Sequence, residues 1–198
     1  MKALLMIDVQ YDFCPGGALE VKQGDQVILE LNRWRSRFPL VVQSQDWHPA
    51  NHGSFAVNHP GKKIGQTIDL HGLQQILWPA HCVQGSPGAE FHRDLDRFES
   101  DLVFRKGTNP EIDSYSAFYD NAHRQSTGLA DFLREKKVSE IFLGGLATDY
   151  CVLFSVLDAL QEGWKVSVIE AACRGVNLLP GDSTAAVEKM WKAGAKIV

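Results

Sequence analysis

The chain alternates short apolar runs with segments whose apolar residues recur at helical spacing. Continuous apolar runs bounded by turn residues are typical of buried strands, and apolar residues three and four positions apart are typical of amphipathic helices. The first pattern predicts six strands, at residues 2–7, 40–45, 102–105, 140–143, 165–170 and 196–198. The second predicts helices at residues 25–37, 128–137 and 183–193, and a fourth between Val152 and Gly163.

This alternation predicts an α/β fold: a single-domain, three-layer fold in which a six-stranded parallel sheet is flanked by helices. The chain has 198 residues, 44% of them hydrophobic, which is enough for one domain with a sizeable core. Residues from Trp47 to Glu99 lack the strand–helix rhythm and are rich in Gly, Pro and His. We expect this segment to be a functional insertion that carries a metal site and part of a pocket.

Charge and composition narrow the classes of partner. The formal charge is −4 and no basic run is longer than a pair, so nothing supports nucleic-acid binding, and a small uncharged substrate is expected. The apolar start, residues 1–7, is far too short to span a bilayer and lacks a signal-peptide layout, which predicts a cytoplasmic protein without membrane contact. The cysteines show no spacing framework and are expected to be reduced thiols: Cys14, Cys82, Cys151 and Cys173.

Cys151 lies where a predicted strand passes through two glycines into a helix. Thr148 or Asp149 is available as the cap of that helix. Cys151 therefore falls in the first helical turn, where unpaired backbone N–H groups favour a thiolate and are suited to bind an oxyanion. The competing interpretation is a small buried hydrophobic residue that faces the sheet. Cys151 alone does not separate the two.

Two charged residues end other predicted strands. The run at residues 2–7 is followed by Asp8, and the run at 102–105 is followed by Lys106. Functional groups in open α/β sheets collect beyond the carboxyl ends of the strands, so we expect Asp8, Lys106 and Cys151 to converge. A carboxylate base, an ammonium group and a thiol nucleophile together suit acyl transfer. Taken singly, Asp8 also fits a turn cap and Lys106 a solvated strand terminus.

A second group of residues indicates a divalent metal. Asp46 and His48 follow the strand at 40–45, His52 comes soon after, and His81 lies in a later loop. One carboxylate and three imidazoles match a metal that keeps positions open for water or substrate. Five of the seven histidines lie between His48 and His81, so chance clustering in a long surface loop is the competing interpretation. The histidines without such a context are interpreted as ordinary polar residues: His59, His71, His92 and His123.

Five separated motifs, in order along nearly the whole chain, resemble those of the nicotinamidases, also called pyrazinamidases, a family of isochorismatase-like hydrolases. The cysteine motif alone would place the chain only in the wider superfamily, and the metal-ligand set narrows the resemblance. The motifs are Asp8–Cys14 with Gly16 and Gly17, Asp46–Pro49, Trp78–Val83, Lys106–Gly107 and Gly145–Val152.

The resemblance implies a catalytic triad of Asp8, Lys106 and Cys151. It also implies one divalent metal ion, zinc first and iron or manganese as alternatives, with two positions left to water. In this family the pyridine nitrogen of nicotinamide replaces one of those waters, which places the carboxamide beside the cysteine. The implied protein ligands are Asp46, His48, His52 and His81.

The same resemblance assigns the pocket and the oxyanion site. Phe13 and Trp78 match residues that sandwich the pyridine ring, and Tyr115 is a weaker match to a pocket residue. In the family a cis peptide precedes the position of Ala147 and turns the N–H groups of Ala147 and Cys151 toward the oxyanion. The resemblance therefore implies an oxyanion site made of two backbone donors.

The implied reaction is hydrolysis of nicotinamide to nicotinate and ammonia through a thioester on Cys151, with pyrazinamide as a further substrate. Asp8 takes the thiol proton, and the extent to which Lys106 opposes this by stabilising the Asp8 anion stays open. The sequence is compatible with a monomer and with a homo-oligomer. Tyr150 occupies a variable position and is given no role.

Two alternatives from other classes remain. The first is a metal-free isochorismatase-like hydrolase that acts on another small amide or on a vinyl ether, in which case the four-residue ligand set is accidental. The second is a non-catalytic binding or scaffold protein that keeps the fold. Metal content tests the first alternative, and the effect of replacing Cys151 tests the second.

Overall fold

A computed structural model describes residues 1–198 of the chain. The strands are β1 (Lys2–Ile7), β2 (Leu40–Asp46), β3 (Thr67–Leu70), β4 (Leu73–Ile76), β5 (Leu102–Lys106), β6 (Glu140–Leu146), β7 (Lys165–Arg174) and β8 (Lys196–Ile197). The α-helices are α1 (Gln26–Arg35), α2 (Leu129–Glu135), α3 (Leu153–Gln161) and α4 (Asp182–Lys192). Every predicted helix and strand is present, and the helix ends differ from the predictions by one or two residues.

Six strands form one sheet in the order β5-β2-β1-β6-β7-β8, and all of its pairings are parallel. Alternate residues of β1 enter different cores: Leu5 packs in a cluster with residues of α2, α3 and α4, and Met6 in a cluster with residues of α1. Strands buried on both faces read as continuous apolar runs. The predicted three-layer α/β fold is therefore confirmed.

Two strands, β6 and β7, extend three and four residues further than predicted, and β2 and β5 each extend one residue further. β6 continues through its glycines because β1 still pairs with it there, with Ile7 opposite Gly145. A Cβ on Gly145 would lie 2.1 Å from the carbonyl oxygen of Ile7, so this glycine permits a close backbone approach inside the strand. β7 continues to Arg174 because, after a register shift, its last residues pair with the end of β6. The predicted ends at residues 143 and 170 were therefore wrong.

The segment between β2 and β5 holds the antiparallel hairpin β3–β4 and short 3₁₀ turns at Ala56–Asn58 and Pro87–Ala89. The description of residues 47–99 as an insertion in a single domain stays a prediction. None of the helices has the length and apolar character needed to cross a membrane.

Candidate active site

The ends of β1, β5 and β6 bring Asp8, Lys106 and Cys151 to one edge of the sheet, as their positions in the sequence predicted. Asp8 follows β1 with a positive φ of 46°. Lys106 is the last residue of β5, and its side chain reaches across β2 to the end of β1. All three side chains are buried, so the solvated-terminus interpretation of Lys106 was wrong.

Lys106 contacts both carboxylates and the thiol of the site. Its Nζ lies 3.0 Å from Asp8 Oδ2 and 2.9 Å from Asp46 Oδ1. It donates hydrogen bonds to the Ser114 carbonyl at 2.8 Å and to Cys151 Sγ at 3.4 Å. Burial lowers the pKa of Lys106, but Asp46 and Asp8 raise it by more, so the pKa lies well above its ordinary value. Lys106 is therefore a permanent cation between two carboxylates.

Asp8 has a raised affinity for a proton. Burial raises its pKa, and Lys106 opposes this shift without cancelling it. The Ser44 hydroxyl donates a hydrogen bond to Asp8 Oδ1 at 2.7 Å and holds the carboxylate in place. The sequence left open whether burial or Lys106 has the larger effect on the pKa of Asp8. Burial has the larger effect, which makes Asp8 a stronger base.

Cys151 lies in a π-helical turn, Thr148–Val152, that leads into α3. Burial raises the pKa of the Cys151 thiol well above its ordinary value, and Lys106 lowers it only in part. The prediction that the helix terminus favours a thiolate is therefore contradicted: the thiol is protonated until a base takes its proton. Because Cys151 also receives a hydrogen bond from Lys106, it is more than a small core residue.

The predicted helix cap is also wrong. Ala147 precedes the turn, and no side chain caps it. The Asp149 carboxylate instead accepts hydrogen bonds from the backbone N–H groups of Val176 and Asn177, at 2.9 and 2.6 Å. These N–H groups follow β7. Asp149 thus fixes the loop after β7 to the cysteine turn.

The peptide bond between Leu146 and Ala147 is cis, as the resemblance implied. The Ala147 carbonyl accepts hydrogen bonds from the backbone N–H groups of Tyr150 and Val152, each at 3.1 Å. The assignment of the Ala147 and Cys151 N–H groups to an oxyanion stays a prediction.

The four predicted metal ligands are buried and lie in two overlapping groups with metal-ligand spacing. The second group also contains Asp113, which the sequence did not suggest. Asp46, His48 and His81 form the first group, and His48, His52 and Asp113 form the second; within each, the ligand atoms lie within 4.8 Å of one another. His48 Nε2 is 3.1 Å and His81 Nε2 3.5 Å from Asp46 Oδ2. The predicted ligands are thus neighbours, with His52 on the Asp113 side.

The three imidazoles present the same nitrogen inward. Nδ1 of His48 pairs with the Gly107 carbonyl at 2.9 Å, that of His52 with the Ser54 hydroxyl at 2.7 Å, and that of His81 with a backbone carbonyl at 2.8 Å. Such outer partners fix the tautomer and orientation of metal-binding histidines. Nε2 of His52 has no hydrogen-bond partner, and Nε2 of His48 and of His81 faces the Asp46 carboxylate, so all three nitrogens point to where a metal would lie.

The charge states of these residues fit a divalent cation. His52 Nε2 is buried without a hydrogen-bond partner, and burial lowers the pKa of His52 to about 4, so the ring is neutral at neutral pH. Burial raises the pKa of Asp46, but His48 and Lys106 lower it by more, so the carboxylate is ionised. A neutral imidazole with an unused nitrogen and an ionised carboxylate are the forms that bind metals.

An apolar pocket adjoins Cys151 and the first metal-ligand group. Eight of its eleven lining residues are hydrophobic, and its empty space, counted out to the open solvent at its mouth, is about 350 Å³. The predicted ring-binding residues Phe13, Trp78 and Tyr115 all line it, as do Asp46, His81, Asp113, Ala147 and Cys151. Tyr150 also lines it, with its ring edge-on to Trp78 at 4.9 Å, so this residue has a place in the pocket that the sequence did not indicate.

The sequence profile of the Isochorismatase domain matches residues 2–198. The nicotinamidase of Escherichia coli (strain K12) is 53% identical over 200 residues, which cover 99% of this chain and 93% of that protein.

The chain belongs to the isochorismatase family.

Solved structures of family members agree with this assignment. A nicotinamidase/pyrazinamidase from Acinetobacter baumanii has a TM-score of 0.95 and 45% identity, covering 100% of this chain and 95% of its own. The pyrazinamidase of Pyrococcus horikoshii, solved in complex with zinc, has a TM-score of 0.82 and 37% identity, covering 100% of this chain and 98% of its own.

Several residues around this isochorismatase-family site were missed by the sequence reasoning. Ser44 and Ser114 bind Asp8 and Lys106, and Asp113 joins the second metal-ligand group. One signal was available: residues 43–45 are three successive polar side chains in a strand that is buried on both faces. Polar residues inside a buried strand need partners, and the partner of Ser44 is the active-site residue Asp8. Loop residues such as Asp113 carry no comparable signal.

Tyr115 supports one wall of the pocket through its hydroxyl. This oxygen accepts hydrogen bonds from Trp78 Nε1 and Gln75 Nε2, each at 3.2 Å. Tyr115→Phe removes the acceptor and frees the Trp78 ring. Loss of the bond to Trp78 costs about 1 kcal/mol, so we expect KM to rise about fivefold with kcat within about twofold. Steady-state kinetics tests this. Tyr119→Phe is the control, since its hydroxyl binds Glu162 instead; an equal rise in KM there would contradict the role of Tyr115.

Proposed function

We propose that this chain hydrolyses nicotinamide to nicotinate and ammonia through a thioester on Cys151. One observation carries the proposal: Lys106 Nζ contacts Asp8, Cys151 and Asp46 beside an apolar pocket that adjoins a metal-ligand group. This places a base, a nucleophile and ring-binding surfaces together. The E. coli relative named nicotinamidase and the nicotinamidase/pyrazinamidase structure support the same activity.

Acylation begins with the proton on Cys151. Because the pKa values of Cys151 and Asp8 are both raised, the thiol needs a base, and the Asp8 carboxylate has increased affinity for its proton. Sulfur attacks the amide carbon, the C–S bond forms and the carbonyl oxygen takes the electron pair. When that pair returns, the C–N bond breaks and ammonia leaves with the proton that Asp8 held.

Deacylation runs through the same groups. Asp8, again a carboxylate, takes a proton from a water molecule that attacks the thioester carbon. The C–S bond breaks, the proton held by Asp8 returns to sulfur, and the nicotinic acid that forms releases its own proton to solvent as nicotinate. Lys106 stays charged throughout and stabilises the anions that form next to it. We assign the backbone N–H groups of Ala147 and Cys151 to the oxyanion of both tetrahedral intermediates; each such donor is worth about 3 kcal/mol of barrier.

We propose zinc as the bound metal, held by Asp46, His48, His52 and His81, with iron or manganese as alternatives. The zinc-bound relative and the nitrogen-rich donor set support this choice. When bound, a divalent metal supplies a Lewis-acid position that attracts the ring nitrogen of a pyridine carboxamide or a water molecule. The chain's own part is to present Asp46 ionised and His52 neutral, and to hold the ring in an apolar pocket lined by Phe13 and Trp78.

The pocket also suits pyrazinamide. Its ring has the size of pyridine and carries a nitrogen in the same position relative to the carboxamide. The lining is mostly apolar, its acidic residues are Asp46 and Asp113, and no lysine or arginine side chain lines it, so neutral single-ring amides fit better than anionic ones. Oligomeric state and cellular location stay predictions.

Purified protein tests the proposal directly. We expect nicotinate and ammonia to form in equal amounts from nicotinamide, measured by chromatography and by a coupled ammonia assay. Absence of both products from metal-loaded protein would overturn the proposal. Activity on vinyl ethers or on other amides alone, without bound metal, would favour the metal-free alternative instead.

Removal of the metal is expected to abolish this activity reversibly. Dialysis against a strong chelator should lower kcat by about 100-fold or more, and stoichiometric Zn²⁺ should restore it. The reason is that productive binding of the substrate ring depends on a metal held by the four ligand residues. His81→Ala should resist restoration. His123→Ala is the matched control, since His123 pairs with Asp158 at 3.1 Å and belongs to neither metal-ligand group. Full activity after chelation, with no metal detected by elemental analysis, would contradict this assignment.

A further inference from the structure

Gln10 is a fully buried amide close to the active site, and neither the motifs nor the mechanism gives it a role. It lies two residues after Asp8, beyond the end of β1. Its backbone N–H donates a hydrogen bond to the Asp8 carbonyl at 2.8 Å. The backbone of Gln10 is therefore held in the turn that carries the base.

The amide of Gln10 binds both backbone groups of Asp46. Gln10 Nε2 donates a hydrogen bond to the Asp46 carbonyl at 2.8 Å, and Gln10 Oε1 accepts one from the Asp46 N–H at 2.8 Å. The second Nε2 proton goes to the Ala89 carbonyl, also at 2.8 Å. Each N–H of the amide is used, and none of these bonds reaches a side chain.

The sheet explains why Asp46 needs this partner. β1 pairs with β2 only as far as Met6 opposite Gln43, three residues before Asp46. On the other side Asp46 still pairs with Lys106 of β5. The Gln10 side chain thus replaces the missing β1 backbone and completes the hydrogen bonding of Asp46 within the sheet.

From these contacts we propose that Gln10 is a positioning residue for metal binding. It holds the Asp46 backbone so that one carboxylate oxygen faces Lys106 and the other faces His48 and His81. A carboxylate that is fixed before the metal arrives loses less conformational freedom on binding. The inference rests on the proposed function for its metal site, and Gln10 itself touches neither substrate nor reacting atoms.

Two variants and a matched control test this role. Gln10→Met removes all three side-chain bonds at similar volume, and Gln10→Glu keeps the shape but places a carboxylate against two carbonyl oxygens. Gln45→Met is the control: Gln45 is equally buried, precedes Asp46 and donates to the same Ala89 carbonyl at 3.0 Å, but makes no side-chain bond to Asp46. Zinc affinity is measured by competition with a chromogenic chelator, independently of turnover.

We expect both Gln10 variants to bind zinc about 10–100-fold more weakly than the unsubstituted protein, as is typical when a partner that orients a metal ligand is lost. At saturating zinc, kcat for Gln10→Met should recover to within about fivefold. Gln45→Met should change zinc affinity less than twofold. Folded Gln10→Met that binds zinc as tightly as the unsubstituted protein, with only its melting temperature lowered, would overturn the inference.

A measurement on the unsubstituted chain covers the case in which both variants fail to fold. The side-chain NH₂ resonances of Gln10 should shift when zinc is added. Those of Gln125, which belongs to neither metal-ligand group, should not shift. Unchanged Gln10 resonances in protein that binds zinc would also overturn the inference. Protein that binds zinc and shows these shifts but does not hydrolyse nicotinamide would instead refute the proposed function and leave the role of Gln10 intact.

Discussion

Replacing Cys151 by alanine is expected to lower kcat for nicotinamide hydrolysis by at least about 10⁴-fold. The thioester route needs the sulfur itself, and catalytic groups that act as a unit lose nearly all activity when the nucleophile is removed. The binding groups stay in place, because Lys106 keeps its bonds to Ser114 and Asp46 when the thiol is removed, and the turn of Cys151 is held by backbone contacts. Single-turnover and steady-state assays on metal-loaded protein check this expectation.

The control for this substitution is Cys173→Ala. Cys173 is also buried, and its thiol donates to the Ile169 carbonyl at 3.3 Å, away from Asp8 and Lys106. We expect Cys173→Ala to keep kcat within about twofold, and Cys151→Ala to keep its zinc content. Residual activity of Cys151→Ala above about 1%, with zinc bound and the protein folded, would refute a covalent route and favour direct attack by water.

The sheet and its functional edge could be predicted because their signals are local. Apolar runs define the strands, and residues such as Asp8 and Lys106 are recognised by ending them. Parallel pairing then forces these ends to meet, whatever their distance in sequence. The same reasoning found the histidines, since imidazoles near a strand end are rare enough to notice.

The errors arose where tertiary contacts override local preference. Gly145 looked like a turn signal, but it lies in a strand because Ile7 approaches too closely for any side chain. Asp149 looked like a helix cap, but its carboxylate binds N–H groups 27 and 28 residues away. Neither partner can be identified from sequence neighbours, so such contacts become visible only in the folded chain.

The protonation of the site was also beyond the sequence, because it depends on burial. A thiol at the start of a helix is expected to ionise, yet Cys151 is enclosed and its pKa rises. The same burial raises the pKa of Asp8. Because both pKa values are raised, Cys151 is a protonated thiol at rest and the Asp8 carboxylate has increased affinity for that proton. In a solvent-exposed triad, burial would not raise either pKa.

Lys106→Met is expected to damage both stability and catalysis. It leaves Asp8 and Asp46 buried without the cation that lies 3.0 and 2.9 Å from them, and the loss of one partner in a buried ion pair costs about 3–5 kcal/mol of unfolding free energy. We expect kcat to fall by about 10²–10³-fold, because stabilisation of the developing anions is lost. Chemical denaturation and steady-state kinetics at saturating zinc measure the two effects.

The pH profile separates catalysis from simple destabilisation. Lys106 lowers the pKa of Asp8 against the effect of burial, so its removal should raise that pKa further and move the acid limb of the kcat/KM profile to higher pH. Arg35→Met is the matched control: Arg35 pairs with Asp101 at 2.6 Å in another buried ion pair, away from Asp8. We expect Arg35→Met to lose comparable stability while kcat and the acid limb stay in place. If the Lys106→Met profile keeps its acid limb, Asp8 is not the base, because removal of Lys106 must raise the pKa of Asp8.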